Sequence, residues 1–231
     1  MRTYPLALTA ALLLATHSVA GQPNQLLAAR PLETSPAAAP RLDRPIFTDD
    51  LSHDPLGQVP SHWAALEGEL VVVARGADQW LTVGTEVGEA SMRIPHPLPR
   101  SWNLGFDLLN EKSDASDVAL IGFDARGKEL WSLELGAHGG DTVVLSAEEL
   151  ESTSILPRGS LTGRHRVEVR ANGSHLDAYL GSERVASVTL LPGDAAQSVA
   201  FRLADRGQSP LITGVSLTES GDLGPQTSLE R

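Results

Sequence analysis

The residues best suited to chemistry lie close together in one segment of this 231-residue chain. Between residues 46 and 63 the sequence reads IFTDDLSHDPLGQVPSHW, which contains Asp49, Asp50 and Asp54 as well as two histidines. Calcium takes roughly six to eight oxygen ligands, many of them carboxylates, so these three side chains could supply half of a structural calcium shell. Their spacing does not match a D-x-D-x-D-G loop. A second interpretation is that they accept hydrogen bonds from backbone amides of a turn.

The sequence carries no pattern that is typical of a catalytic site. It has no cysteine, which excludes a thiolate nucleophile, a disulfide and a Cys-ligated zinc ion. No H-E-x-x-H or G-x-S-x-G motif occurs, so neither zinc hydrolysis nor a serine nucleophile is supported. Glu67 and Glu69 most nearly resemble a catalytic carboxyl pair, but their place at the start of an alternating strand favours a solvated face.

Aromatic side chains are the other group with a possible binding role, because their rings can stack on sugar faces. Only nine aromatic residues follow the N-terminal leader, and most of them alternate in phase with residues of a predicted core. Trp131 in KELWSLELG and Tyr179 in HLDAYLG lie on faces that are less clearly buried. We therefore predict Trp131 and Tyr179 as ligand-binding residues.

The N-terminus is typical of an exported protein. Residues 1–20 combine a basic Arg2, an apolar run of ten residues and small residues at a cleavage site, which predicts a signal peptide. The run is too short for a membrane span, which needs roughly 20 residues. Residues 21–45 contain five prolines and read as a disordered linker, and residues 219–231 as a flexible tail. One domain is expected between them, over residues 46–218.

The charge of the chain limits its partners. After removal of the leader, 17 basic residues face 29 acidic ones, a formal charge of −12 with neutral histidines. The densest basic cluster, Arg164, Arg166 and Arg170, is interrupted by Glu168. Because nucleic-acid binding requires a basic patch that neutralises phosphates, we expect no nucleic-acid partner. We also expect no insertion into a membrane after cleavage of the leader.

The pattern of the central region is that of β-strands. Apolar and polar residues alternate over short segments that end at Gly, Pro, Asn or Asp. About ten strands are predicted, and LSAEELEST at residues 145–153 alone has a helical pattern. Asn172 and Gly173 predict a type I′ hairpin turn. The whole indicates an all-β fold, a two-layer antiparallel β-sandwich or jelly roll.

The order of these segments resembles the concanavalin A-like (laminin-G-like) jelly-roll domains of bacterial envelope and secreted proteins. The resemblance rests on FTDDLSHDPLGQVPSHW, HRVEVRANGSHLDAYLGSERV and PLITGVSLT. It implies that the opening segment lies beside the last strand and that a structural Ca²⁺ sits near it. Several similar proteins continue into an outer-membrane-protein-A-like domain that grips peptidoglycan, and no such segment is found here. Glycoside hydrolases with this fold show an E-x-D-x-E run, which is also not found.

Together these observations predict an exported, non-catalytic binding module of the bacterial cell envelope or extracellular space. The resemblance implies a glycan as ligand, and a monomeric, periplasmic or released protein is expected. Two alternatives stay open at this point. One is a protein-interaction or scaffold module that binds an envelope protein, and the other is a divergent glycoside hydrolase.

Overall fold

The chain folds into thirteen β-strands. A computed structural model describes residues 43–94, 96–111, 116–137, 140–191 and 196–221, and within these ranges it contains no helix. None of these residues therefore forms an apolar helix that could cross a membrane. The strands are β1 (Arg44–Asp49), β2 (Trp63–Arg75), β3 (Asp78–Met92), β4 (Ser101–Asn110), β5 (Ser116–Phe123), β6 (Glu129–Leu135), β7 (Thr142–Ala147), β8 (Leu150–Ile155), β9 (Gly163–Asn172), β10 (His175–Leu180), β11 (Glu183–Thr189), β12 (Ser198–Asp205) and β13 (Leu211–Glu219).

All strand pairs are antiparallel, and they form two layers. One layer has the order β11-β10-β9-β4-β13, with β1 added along β13. The other has the order β3-β12-β5-β6-β7-β8, with β2 added along β3. The long strand β3 belongs to both layers, because Leu81 pairs with β13 whereas residues 87–91 pair with β12. The predicted two-layer antiparallel sandwich is confirmed.

The layers also meet at the opposite edge, where β11 approaches β7 and β8. The hydroxyl of Ser154 donates to the carbonyl of Val185, and the amide of Ser187 donates to Ser152 Oγ at 3.3 Å. These bonds satisfy polar groups of an edge that would otherwise be open to pairing with another chain. The sandwich is thus nearly closed, like a flattened barrel.

The core lies between the layers and is built by alternation along each strand. In β9, Val167 and Val169 are fully buried, while Glu168 between them points outward. Phe201 on β12 connects the layers, since its ring packs edge-on against Phe106 on β4 at 4.9 Å between centroids. The ring of Trp63 also packs against Phe201, with 5.5 Å between the ring centroids. Aromatic contacts of this kind add to the burial of large apolar side chains.

The opening segment lies beside the last strand, as the resemblance implied. Strand β1 pairs with β13 along its whole length, from Arg44 opposite Glu219 to Asp49 opposite Val215. Pairing thus begins at Arg44, just before the predicted start of the domain, and ends at Glu219. The predicted signal peptide, most of the linker and most of the tail lie outside the described residues.

Two local predictions are wrong. Residues 145–153 form the β7–β8 hairpin instead of a helix, because Leu145 and Ala147 are buried in strand alternation and Glu148 turns the chain with a φ of 52°. At the β9–β10 hairpin Asn172 pairs with His175, so the two loop residues are Gly173 and Ser174. Gly173 alone has a positive φ there, which is typical of a type II′ turn and not of the predicted type I′ turn.

Candidate functional site

The three aspartates of the opening segment are hydrogen-bonded within the fold. Asp49 is buried, and its carboxylate accepts bonds from the amide of Leu51 at 2.8 Å and from Nε1 of Trp63 at 2.7 Å. Asp54 is also buried and accepts from the amide of Ser61 at 2.8 Å. These two side chains fix the turns that bring Trp63 onto the core.

Asp50 is exposed and binds Ser52, through the amide at 3.0 Å and the hydroxyl at 2.7 Å. These hydrogen bonds, the hydroxyl first, lower the pKa of the Asp50 carboxyl below its ordinary value. In the part of the chain that the structure describes, no group of three His, Asp or Glu side chains is arranged to hold a metal ion. Calcium binding by the three aspartates stays a prediction, which chelation during thermal unfolding tests.

The structure corrects the prediction for Trp131. Its side chain points inward from β6, is 2% exposed and stacks on Trp102 with 5.6 Å between ring centroids. Gly122 lies directly beneath the ring, where a larger residue would collide with it. Trp131 is a core residue because its cross-strand partner is the small Gly122, which leaves room for an indole inside the sandwich.

Tyr179 lies on the outer surface of the β9–β4 layer, among charged side chains. We call this surface the arginine face; its residues are Asn103, Asp107, Arg166, Glu168, Arg170, Tyr179 and Ser216. Tyr179 is half-buried, and the guanidinium of Arg170 covers its ring at 4.2 Å from the centroid. One side of this ring is therefore already occupied. A ligand contact by Tyr179 stays a prediction.

The charges of the arginine face are paired with one another. Arg166 donates to Asp107 at 3.3 Å, to the carbonyl of Gly214 at 3.1 Å and to Ser216 at 3.0 Å. Its guanidinium lies over Gly105, where any side chain would collide with it. Because these partners occupy both terminal nitrogens of Arg166, the network holds the strands together and leaves little for a ligand to bind.

Two further arginines of this layer are bound in the same way. Arg170 donates to Glu168 at 2.5 Å and Arg164 donates to Asp107 at 2.7 Å. The hydrogen bond to Glu168 raises the pKa of the Arg170 guanidinium, and the one to Asp107 raises the pKa of Arg164. Both arginines thus stay charged and paired at any physiological pH.

The outer surface of the other layer is organised differently. We call it the sheltered face; it carries the outward side chains of β3, β12, β5, β6 and β7, namely Glu89, Ser91, Ala200, Arg202, Ala119, Ile121, Ser132, Glu134, Val144 and Ser146. Ile121 is 1% exposed and Ala200 0%, although neither belongs to the core between the layers. Both side chains are therefore closed to solvent although they lie on an outer face of the sandwich.

The charged side chains of the sheltered face lie in one row across the strands, and this row continues to Glu67 on β2. The register places Glu67, Glu89, Arg202, Ala119, Glu134 and Val144 side by side on six neighbouring strands. Arg202 Nε donates to the buried Glu89 carboxylate at 2.7 Å. Glu134 is exposed, and no hydrogen bond or ion pair is found between it and another described residue.

Ala119 leaves a gap in this row. It lies between Arg202 on β12 and Glu134 on β6, two strand spacings apart, or about 9–10 Å. The neighbouring row, with Ala200, Ile121 and the hydrogen-bonded pair Ser132 and Ser146 at 3.0 Å, completes the floor. Arg202 as a donor on one side and Glu134 as a carboxylate acceptor on the other could together bind a ligand that carries hydroxyl groups.

Sequence reasoning missed Arg202, Ala119 and Glu134 as a group. Each alternates with core residues, as Arg202 does between Phe201 and Leu203, so the sequence indicated that each points outward. Nothing in the sequence showed that β12, β5 and β6 are neighbours, because β12 comes long after the other two.

No family model and no curated protein matches the sequence. Solved structures match the fold. A sialidase matches with a TM-score of 0.58 and 16% identity over 76% of this chain but only 18% of its own. A Bacillus subtilis protein of unknown function with a galectin-like fold matches with a TM-score of 0.54 and 10% identity, over 78% of this chain and 98% of its own. The Emp47p carbohydrate recognition domain matches with a TM-score of 0.53 and 9% identity, over 75% of this chain and 95% of its own. These likenesses show the fold alone, an antiparallel β-sandwich of the jelly-roll type.

Proposed function

We propose that the protein is an exported, non-catalytic glycan-binding module of the cell envelope or extracellular space, and that it binds its ligand on the sheltered face. The observation that carries the proposal is the gap at Ala119, flanked by the donor Arg202 and the exposed acceptor Glu134. Hydroxyl groups both donate and accept hydrogen bonds, so a sugar can use the guanidinium and the carboxylate together.

Two further points support this function. The fold is shared with a protein described as a carbohydrate recognition domain, although fold by itself does not determine function. Export is supported by the sequence of residues 1–20, with its basic start, apolar run and small residues. Fractionation of cells that express the full chain tests export, because a cytoplasmic protein that keeps its leader would contradict it.

The geometry does not favour the glycoside hydrolase alternative. Such enzymes use two carboxyl groups that are about 5–5.5 Å or about 6.5–9.5 Å apart. Glu89 and Glu134 lie three strand spacings apart in the row, or about 14 Å. Glu67 is a direct neighbour of Glu89, but the Glu89 carboxylate is bound to Arg202. Neither pair offers two free carboxyl groups on either side of a sugar.

Retention on insoluble polysaccharides tests the proposed function. The purified protein is mixed with cellulose, chitin, mannan, β-glucan and peptidoglycan, and the bound fraction is measured by sedimentation. We expect saturable retention on at least one polymer and its loss in Ala119→Trp, because an indole would fill the gap. Ser187→Trp places the same side chain on an exposed outward position of the other layer and should retain binding.

The outcomes separate the alternatives. Equal loss in both tryptophan variants, with unchanged circular dichroism, would place the site elsewhere than at Ala119. Retention of neither the wild-type protein nor its variants on any polymer would contradict glycan binding and favour a protein partner in the envelope.

A further inference from the structure

A depression lies at one end of the edge where the two layers meet. Strands β8 and β11 approach each other along this edge, with Ser152 beside Ser187. The same antiparallel direction, continued past Ser187, brings Leu191 to the turn between β7 and β8. The depression has a volume of about 510 Å³. We call it the seam groove; its lining includes Lys128, Glu129, Glu148, Glu149, Leu150 and Leu191.

Two turns form the walls of the seam groove and are joined to each other. The carboxylate of Asp124 accepts hydrogen bonds from the amides of Arg126 at 2.7 Å and Lys128 at 2.8 Å, which hold the β5–β6 turn. Nζ of Lys128 donates to the carboxylate of Glu148 on the β7–β8 turn at 3.0 Å. Because the two turns are connected in this way, a ligand meets a groove that is already formed, which lowers the cost of binding.

The seam groove contains two exposed leucines. Leu150 is 49% exposed and Leu191 is 52% exposed, and both line this one depression. A single exposed leucine is common on a soluble protein, but two around one depression create an apolar surface that a partner can remove from water. Burial of apolar surface is the main favourable contribution to most protein–protein association.

The rim of the seam groove is acidic. Lys128 is the one basic side chain of its lining among the described residues, and it is paired with Glu148. Glu129 and Glu149 are exposed, and no ion pair is found between either of them and another described residue. The whole chain carries a formal charge of −11 as well. A basic ligand is therefore attracted to this rim, whereas an acidic ligand is repelled.

From the exposed leucines and the acidic rim, we propose that the seam groove binds a short segment of a partner protein that carries apolar side chains next to Lys or Arg. The apolar side chains lie against Leu150 and Leu191, and the cations lie beside Glu129 and Glu149. This inference goes beyond the proposed function. Glu129 is five residues along β6 from Glu134, or about 16 Å, so the segment and a ligand at Ala119 use different surfaces.

NMR titration with synthetic peptides tests the proposal. The probe is a hexapeptide in which leucine alternates with lysine. One counterpart has serine in place of every leucine, and the other has glutamate in place of every lysine. We expect the leucine–lysine peptide to shift the amide signals of Glu129, Glu149, Leu150 and Leu191 in the isotope-labelled protein. Neither counterpart should shift them, because each lacks one of the two required features.

Matched substitutions separate the seam groove from general attraction to an acidic protein. Leu191→Ser should weaken binding of the leucine–lysine peptide about tenfold or more, whereas Leu66→Ser, at a residue of β2 that is 53% exposed, should leave it unchanged. Glu149→Lys places a cation on the rim and should also weaken binding. Glu86→Lys makes the same change of charge at an exposed residue of β3 outside the groove and should have a much smaller effect.

The opposite results would overturn the proposal. Equal binding of the serine–lysine peptide would reduce the interaction to charge alone. Binding that Leu191→Ser does not weaken, or signal shifts confined to residues outside the seam groove, would place the contact elsewhere. No binding of the leucine–lysine peptide would contradict the proposal directly. These outcomes leave glycan binding untouched, because Ala119→Trp tests that function separately.

Discussion

The two outer faces of the sandwich carry similar residues in different relations. On the arginine face, each arginine described above has a carboxylate partner, and the guanidinium of Arg166 lies flat over Gly105 between Asp107 and Ser216. On the sheltered face, Arg202 is paired with Glu89, but Glu134 stands across the gap at Ala119 with no described partner. Paired charges stabilise a surface, whereas a separated donor and acceptor can bind a ligand.

The number of charged residues does not identify a site. The arginine face and the row on the sheltered face each carry four charged residues, and the arginine face has a half-exposed tyrosine as well. Its arginines are already bound to carboxylates, so a ligand for them would have to displace existing hydrogen bonds at a cost comparable to its gain. On the sheltered face, Glu134 lies across the gap at Ala119 and has hydrogen-bonding capacity that no described residue uses.

The two rings that were predicted as ligand contacts give the largest expected difference. Trp131→Ala should lower the free energy of unfolding by about 3–5 kcal/mol, because it leaves a cavity beneath the sheltered face. Tyr179→Ala on the arginine face should cost about 1 kcal/mol or less, the size of an exposed cation–π contact. Urea denaturation measures both. A small effect of Trp131→Ala would mean that this side chain is not in the core, and loss of glycan retention in a folded Tyr179→Ala protein would make the arginine face the binding surface.

The ion pairs of the two faces should respond differently to removal of the arginine. Arg202→Ala leaves the buried Glu89 carboxylate unpaired and should cost about 1–3 kcal/mol; the value is kept low because Arg202 itself is 46% exposed. Arg170→Ala breaks a more exposed pair with Glu168 and should cost less than about 1 kcal/mol. Thermal unfolding compares them, and adding Glu89→Gln to Arg202→Ala should recover part of the loss. Equal effects of the two arginine variants would contradict the difference between the faces.

The smallest effect concerns Asp50, which lines a depression with Arg164 at the end of the arginine face. Its pKa is lowered in the folded protein by the bonds from Ser52. The resulting stabilisation is therefore present above the pKa of the unfolded chain and is lost as the pH falls through the lower folded value. In Ser52→Ala, NMR titration should show the pKa of Asp50 moved up towards its ordinary value. An unchanged pKa in this variant would mean that Ser52 is not the cause, and Ser61→Ala serves as the control.

The predicted sites show where sequence reasoning stops. Alternation correctly placed Val167 and Val169 inside and Arg166 and Glu168 outside, because the side chains of a strand point to opposite faces in turn. Alternation also placed Trp131 on the buried face of β6, with Leu133 and Leu135, and the prediction of a ligand contact went against this pattern. What alternation did not show is the neighbouring strand that makes room for the ring. That neighbour, β5, provides Gly122, and the space above this glycine decided the position of the ring.

The helical prediction at residues 145–153 failed for a related reason. The segment from Glu148 to Glu151 favours a helix locally. However, β8 pairs with the open edge of β7, and this tertiary pairing overrides a weak local propensity. The opening segment was predicted better. Its turn residues and the tryptophan that follows are enough to indicate a bend onto the core, and Asp49 indeed holds Trp63.

The sequence by itself determined the strands, their buried faces and the resemblance to a jelly roll, because these depend on residue types two positions apart along one chain. It also indicated a net negative charge and an export leader. Only the tertiary structure decided which strands are neighbours, and therefore that Arg202, Ala119 and Glu134 share one row. Strand neighbours are set by pairing across the whole sheet, and no short stretch of residues encodes that pairing.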